Sequence, residues 1–111
     1  MAFLIMYGPS AQAAIAAMSA RDRTIVLSAI REQLSEEPLR ETRNRKPMRP
    51  SPRIVALGIT WELRIAGVWR AFYSVDAEIV TVDVVDIARK GRETTDTVLG
   101  SPDDEGEENE P

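Results

Sequence analysis

Apolar positions follow two patterns along the chain, and the change between them near residue 54 predicts the order of the elements. Phe3 to Tyr7 form a short apolar run ended by Gly8-Pro9, the signature of a short buried strand. Ser10 is placed to cap the helix that follows, where Ala14, Ile15 and Met18 recur at helical spacing in an alanine-rich stretch. Ser19-Ala20-Arg21-Asp22 then has the form of a capping box that opens a second helix. Leu27, Ile30 and Leu34 line one side of that helix, Arg23, Arg31 and Glu32 lie off the stripe, and Pro38 stops it. So short a link between two helices predicts an antiparallel hairpin.

Residues 40–53 hold three prolines and six cations, Arg40, Arg43, Arg45, Lys46, Arg49 and Arg53, and read as an exposed loop. Beyond them the period becomes two. Trp61, Leu63 and Ile65 alternate with Glu62 and Arg64, and Ala66-Gly67 marks a turn. Trp69, Ala71, Tyr73 and Val75 alternate with Arg70, Phe72 and Ser74 before a second turn at Asp76-Ala77. Val80, Val82 and Val84 alternate with Thr81, Asp83 and Val85. This predicts a three-stranded antiparallel meander with one face on a core and one partly polar. The expected fold class is α+β, an N-terminal strand and helical hairpin packed on an antiparallel sheet. The expected core sets Trp61, Leu63, Trp69, Tyr73, Val80 and Val82 against Leu27, Ile30 and Leu34. The opposite face carries Glu62, Arg64, Arg70, Phe72 and Asp83.

Composition narrows the chemistry. Cysteine and histidine are both absent, so disulfides, thiolate or imidazole metal sites and histidine general bases are excluded. Acid–base work falls to Arg, Lys, Tyr, Asp or Glu, and no cofactor or metal is expected. The net charge of −4 hides two regions. Residues 101–111 hold six acids and no base; setting them aside leaves 12 acids against 14 bases, a body of +2. The chain accordingly divides into one domain over residues 1–100 and an acidic tail over 101–111 expected to be disordered. The apolar start lacks a basic region and a small-residue cleavage site, and no apolar run reaches about 18 residues. A cytoplasmic protein that neither enters nor spans a membrane is expected.

The central strands carry a resemblance. Residues 61–76, WELRIAGVWRAFYSVD, and 82–93, VDVVDIARKGRE, are similar to the signature strands of the RelE/ParE superfamily of toxins. In that family an L-R strand, a G-x-R-x-x-Y strand and a last strand exiting into basic residues form a curved sheet. Asn44 to Met48 resembles the basic N/R-K-P-L loop of one RelE-like branch. The resemblance covers residues 3–96 and implies the toxin of a bacterial toxin–antitoxin pair, held inactive by a cognate antitoxin. It also implies action on RNA: RelE-like members cut mRNA in the ribosomal A site, whereas ParE-like members poison gyrase without nuclease residues. Arg70 matches the conserved arginine of the second meander strand, and Lys90 or Arg89 the basic residue at the last strand's exit. Thr60 and Glu62 stand where RelE-type nucleases carry lysines, and Thr95, Asp96 or Thr97 where a catalytic tyrosine is usual.

Each candidate has a structural alternative. Arg70, Arg64 and Lys90 are the catalytic candidates, holding the phosphate and its transition-state charge. Alternatively, Arg64 and Arg70 pair with Glu62 and Asp83 across the sheet. Arg43, Arg45, Lys46 and Arg89 are candidate phosphate contacts, or a solvated segment, or the acceptor of an acidic antitoxin stretch. Phe72, on the polar face, stacks a base or fills a groove. Besides the ribosome-associated mRNA nuclease, two readings stay open: a non-enzymatic ParE-like gyrase inhibitor, and an inactive antitoxin-binding or RNA-binding module.

Overall fold

A computed structural model describes residues 2–90. The expectation of a disordered tail concerns residues outside that span. The order of elements is β1 (Leu4–Tyr7), α1 (Pro9–Ala17), α2 (Ala20–Leu34), β2 (Arg45–Pro47), α3 (Pro52–Leu57), β3 (Trp61–Ile65), β4 (Trp69–Asp76) and β5 (Thr81–Arg89).

The strands form one five-stranded sheet in the order β1-β5-β4-β3-β2. The meander β3-β4-β5 is antiparallel as expected, β2 extends it antiparallel, and β1 joins β5 in parallel. β1 therefore lies at an edge and is not fully buried: Phe3, Ile5 and Tyr7 reach the core, while Leu4 and Met6 are 64% and 52% exposed.

The helices begin and end for local reasons. Ser19 Oγ accepts the Asp22 N–H at 3.1 Å, the cap that the capping box predicts at the start of α2. Ser10 is not a cap, because α1 already starts at Pro9, with Gly8 as the N-cap. The Arg23 guanidinium donates to the carbonyls of Ile15 and Met18 at 3.2 and 3.0 Å, satisfying the last turn of α1 from the side of α2. The helices pack chiefly on the sheet, α1 against β5 and α2 against β3, more than on each other.

One cluster forms the main core. Val26, Ile30 and Leu34 of α2 and Ala11 of α1 meet Leu63, Ile65, Ala71, Tyr73, Val82, Val84 and Ile87 of the sheet. Trp61 and Trp69 are partly buried against it, and the rings of Trp61 and Tyr73 stack at 6.3 Å. Two expected members stand aside. Val26 takes the place of Leu27, and Val80 lies in the β4–β5 turn with φ 55°. Tyr73 spans the core to donate its hydroxyl to the Pro38 carbonyl at 2.6 Å, and burial pushes that hydroxyl's pKa well up despite the opposing charge of Arg45.

The segment 40–53 is more ordered than a loop. Thr42 Oγ1 accepts the N–H groups of Asn44 and Arg45 at 3.2 and 3.1 Å, turning the chain into β2. Ser51 Oγ accepts the Ile54 N–H at 3.2 Å, Pro52 occupies the first turn of α3, and Gly58 closes it at φ 77°. Pro47 and Pro52 thus sit where regular structure tolerates them, at a strand end and at a helix start.

A second, smaller core lies on the other face of the sheet. Ile54 and Ile59, at either end of the α3 segment, bury Phe72, with Met48, Val85 and Ala88 around them. A bulge makes this possible. Tyr73 pairs with Val84 but Phe72 with Asp86, so Val85 is an extra residue and the alternation of β5 slips by one. Val84 and Ile87 both face the main core as a result, and Val85 and Ala88 both face α3.

Candidate functional site

The face of the sheet opposite α1 and α2 is read from the strand pairing, since directly opposed residues share a face. One row holds Lys46, Glu62, Phe72 and Asp86; the next holds Arg64, Arg70 and Ala88. Arg64 and Arg70 thus face each other on neighbouring strands, an arrangement of like charges that is unfavourable unless a counter-charge lies between them. Glu62 supplies it. Its Oε2 lies 3.0 Å from Arg70 Nε and 3.2 Å from Arg64 Nε.

The cluster is graded in exposure. The Glu62 and Arg70 side chains are each 12% exposed, and that of Arg64 is 43% exposed. Arg70 also donates from Nη1 to the Trp69 carbonyl at 3.2 Å, which fixes its plane. Arg64 makes no side-chain bond but that to Glu62 among the described residues, so the outer edge of its guanidinium is available. Glu62 Oε1 likewise has no hydrogen-bond partner among them. The arrangement is one carboxylate and two guanidiniums converging on a rigid sheet, with the Nη groups of Arg64 left without a partner among the described residues.

The other sequence candidates separate. Lys46 is exposed on β2, directly opposite Glu62. Lys90 follows β5 beside the β3–β4 turn, its N–H donating to the Val68 carbonyl at 2.6 Å. Arg43 is exposed in the turn before β2. Arg89 lies opposite Trp69, with its guanidinium carbon 5.7 Å from that ring's centroid, on the side away from Arg70. Arg45 is 8% exposed and points inward. Its guanidinium donates to the carbonyl of Arg40 at 3.0 Å and to that of Gln33, stapling the end of α2 to β2. Phe72 is on the polar face as expected, yet fully buried beneath α3, so it fills a groove and offers no ring to a base. Asp83 stands beside Ser74, away from the arginines, and among the described residues Glu62 is the carboxylate that pairs with them.

Sequence reasoning missed one polar neighbour. Burial raises the Asp86 carboxyl above the ordinary carboxylate range, against the lowering effects of the Ile87 N–H, 2.8 Å from Oδ1, and of the Arg53 charge on α3. A raised carboxyl favours the protonated folded form. Its contribution to stability is complete below the unfolded value of about 3.9 and is lost as pH rises through the folded value. Asp86→Asn is therefore expected to be more stable than the parent at pH 7 and to lose that advantage below about pH 4. Urea midpoints at the two pH values check this; an unchanged or lower midpoint at pH 7 shows that the Arg53 attraction outweighs burial.

The molecule is thus an α+β domain with a mixed five-stranded sheet and a guanidinium–carboxylate cluster on its outer face. No protein-family model matches the chain, and no curated protein matches it in sequence. In structure it is similar to a chain of the toxin–antitoxin complex RelBE2 from Mycobacterium tuberculosis, with a TM-score of 0.65 and 23% identity. The likeness covers 81% of this chain and 93% of that one. At that identity it is a likeness of fold, and the RelE-like toxin fold expected from the central strands is the fold observed. Among the described residues no helix is long and apolar enough to cross a membrane.

Proposed function

We propose that this chain is the toxin of a toxin–antitoxin pair and that it cleaves RNA without a metal, using the Glu62–Arg64–Arg70 cluster. The observation that carries the reading is the convergence of two guanidiniums on one carboxylate, on a sheet whose fold is that of a toxin–antitoxin chain. Cleavage at a 2′-hydroxyl needs a base for that proton, donors for the phosphate oxygens and stabilisation of the added charge. Glu62 Oε1 accepts the 2′-hydroxyl proton as the O2′–P bond forms. Arg64 presents its outer N–H groups to the non-bridging oxygens, and Arg70 holds Glu62 in place and stabilises the pentacoordinate charge. The P–O5′ bond breaks, the 5′ oxygen takes a proton from water, and the Glu62 carboxyl returns its proton to solvent, leaving a cyclic phosphate and a 5′-hydroxyl. Lys90 and Lys46 at the margins, with Arg43 in the turn before β2, attract the RNA backbone.

The partner is a cognate antitoxin. A cavity of about 410 Å³ lined by Tyr7, Gln12, Ile15, Ala16 and Leu27 supports this, being an apolar groove of the kind that receives an amphipathic segment. One observation favours the rival, non-enzymatic reading, in which the chain binds its target without cutting it. Glu62 already neutralises both arginines, as a purely structural ion pair would. The two readings part in one experiment. Induction in bacteria is expected to arrest growth, the neighbouring gene to relieve the arrest, and mapped mRNA 5′ ends to show new cuts. Arrest without new ends supports the non-enzymatic toxin, and unimpaired growth removes the toxin reading.

A further inference from the structure

The two edges of the sheet are built differently. β2 ends one of them with the exposed Lys46 and with Pro47, a charge and a missing N–H that keep an edge from pairing with another chain. β1 ends the other with Leu4, Ile5, Met6 and Tyr7, and of the five described strands it alone carries no charged residue. Leu4 and Met6 stand exposed on it.

The backbone of β1 shows which groups stay open. The N–H groups of Leu4 and Gly8 donate to the carbonyls of Val80 and Val84, each at 2.9 Å. In this parallel register the N–H and C=O of Leu4 and Met6 turn toward β5, and those of Ile5 turn away. N–H and C=O point oppositely in a trans peptide, so the Phe3 C=O and the Tyr7 N–H turn away as well. The Phe3 N–H is engaged by the Ser35 carbonyl at 2.6 Å, and the Tyr7 carbonyl by Gln12 Nε2 at 2.7 Å. The Phe3 C=O, the Ile5 N–H and C=O and the Tyr7 N–H have no partner among the described residues.

These open groups complement themselves. In an antiparallel pair of β1 strands centred on Ile5, the two Ile5 residues exchange both bonds, and each Tyr7 N–H meets the Phe3 C=O of the second copy. The groups left over are the Phe3 N–H and the Tyr7 C=O, which are already satisfied within each chain. The same register sets Leu4 against Met6 of the second copy on the outer face and Phe3 against its Tyr7 on the inner one. Apolar meets apolar at every position, and no like charges oppose each other.

We propose that a second copy of this chain docks on β1, antiparallel about Ile5, and joins the two five-stranded sheets across a two-fold axis. This goes beyond the toxin reading, since it needs neither RNA nor antitoxin. A contact between strands this short falls below the roughly 1,200–2,000 Å² of stable interfaces, so a weak dimer is expected, with a dissociation constant of about 10 μM to 1 mM.

Sedimentation of the full chain from about 5 μM to 1 mM is expected to show a monomer–dimer equilibrium. Hydrogen exchange at the Ile5 and Tyr7 amides is expected to slow as the dimer fills. Two double variants at the exposed positions test the register. L4K/M6K sets lysine against lysine in both outer pairs, whereas L4K/M6E sets lysine against glutamate in both. The second is expected to dimerise at least about tenfold more tightly than the first. Circular dichroism checks that both keep the parent fold, and the parent's exchange decides by itself where a variant does not. A chain that stays monomeric up to about 1 mM overturns the proposal. So does a dimer in which Ile5 and Tyr7 exchange as fast as in the monomer, or one that both folded variants form equally well, because another surface then joins the copies.

Discussion

Arg70→Ala is expected to slow RNA cleavage by about 30- to 1000-fold, the loss of one preorganised charge-stabilising donor worth roughly 2–4 kcal/mol of barrier. The Arg70 side chain is only 12% exposed and is ion-paired to a Glu62 that is equally covered, so truncation also leaves a carboxylate leaning on the more exposed Arg64 alone. A solvated surface pair would cost about 0–1 kcal/mol; here some loss of stability accompanies the loss of activity. Arg70→Lys separates the two effects. It keeps a counter-charge for Glu62 but lacks the planar fork, so it is expected to fold and bind antitoxin while still cleaving at least about tenfold more slowly. Growth arrest and mapped 5′ ends report activity, and antitoxin capture reports folding. A folded Arg70→Lys chain with full activity excludes the fork from the reaction, and a folded, fully toxic Arg70→Ala removes Arg70 from the site.

Phe72→Ala is expected to lower stability by about 3–5 kcal/mol, the cost of deleting a buried aromatic ring that its neighbours cannot replace. The ring is fully buried between the sheet and Ile54 and Ile59, so its removal takes away the apolar anchor of α3. α3 has only six residues and depends on that packing for its helicity. Chemical denaturation measures the change, and amide exchange across 52–57 shows whether the helix loosens first. A loss below about 1 kcal/mol would mean that the ring is dispensable to the fold.

These two residues also show where the sequence was legible. The period-two alternation of Trp69 to Tyr73 correctly separates Arg70 and Phe72 from the core residues. It says nothing about what covers the second face. The signal for that cover lay in Ser51-Pro52 and Gly58, a cap, a first-turn proline and a left-handed stop around an apolar stretch. The density of prolines and cations in 40–53 masked it. Composition likewise made Arg45 a surface cation, whereas β2 turns its side chain toward carbonyls at the end of α2. The pairing of Glu62 with both arginines was open in advance, since cross-strand neighbours follow from register. The phase slip at Val85 was not, because a bulge leaves no mark in a run of apolar residues.

The parallel pairing of β1 with β5 has a consequence for the order of events during synthesis. Leu4 finds its partner at Thr81, and β5 lies between β1 and β4 in the sheet. A chain still lacking β5 has no strand to receive β1 and lacks Val82, Val84 and Ile87 from the main core. Helices α1 and α2 emerge early, with nothing complete to pack on. Such long-range closure also slows folding, because the entropy of bringing distant residues together is lost before their contacts form. The sheet and its main core are therefore completed only when translation of residues 4–89 is finished, and until then the β3–β4 pair that carries the arginines lacks β5 at its side.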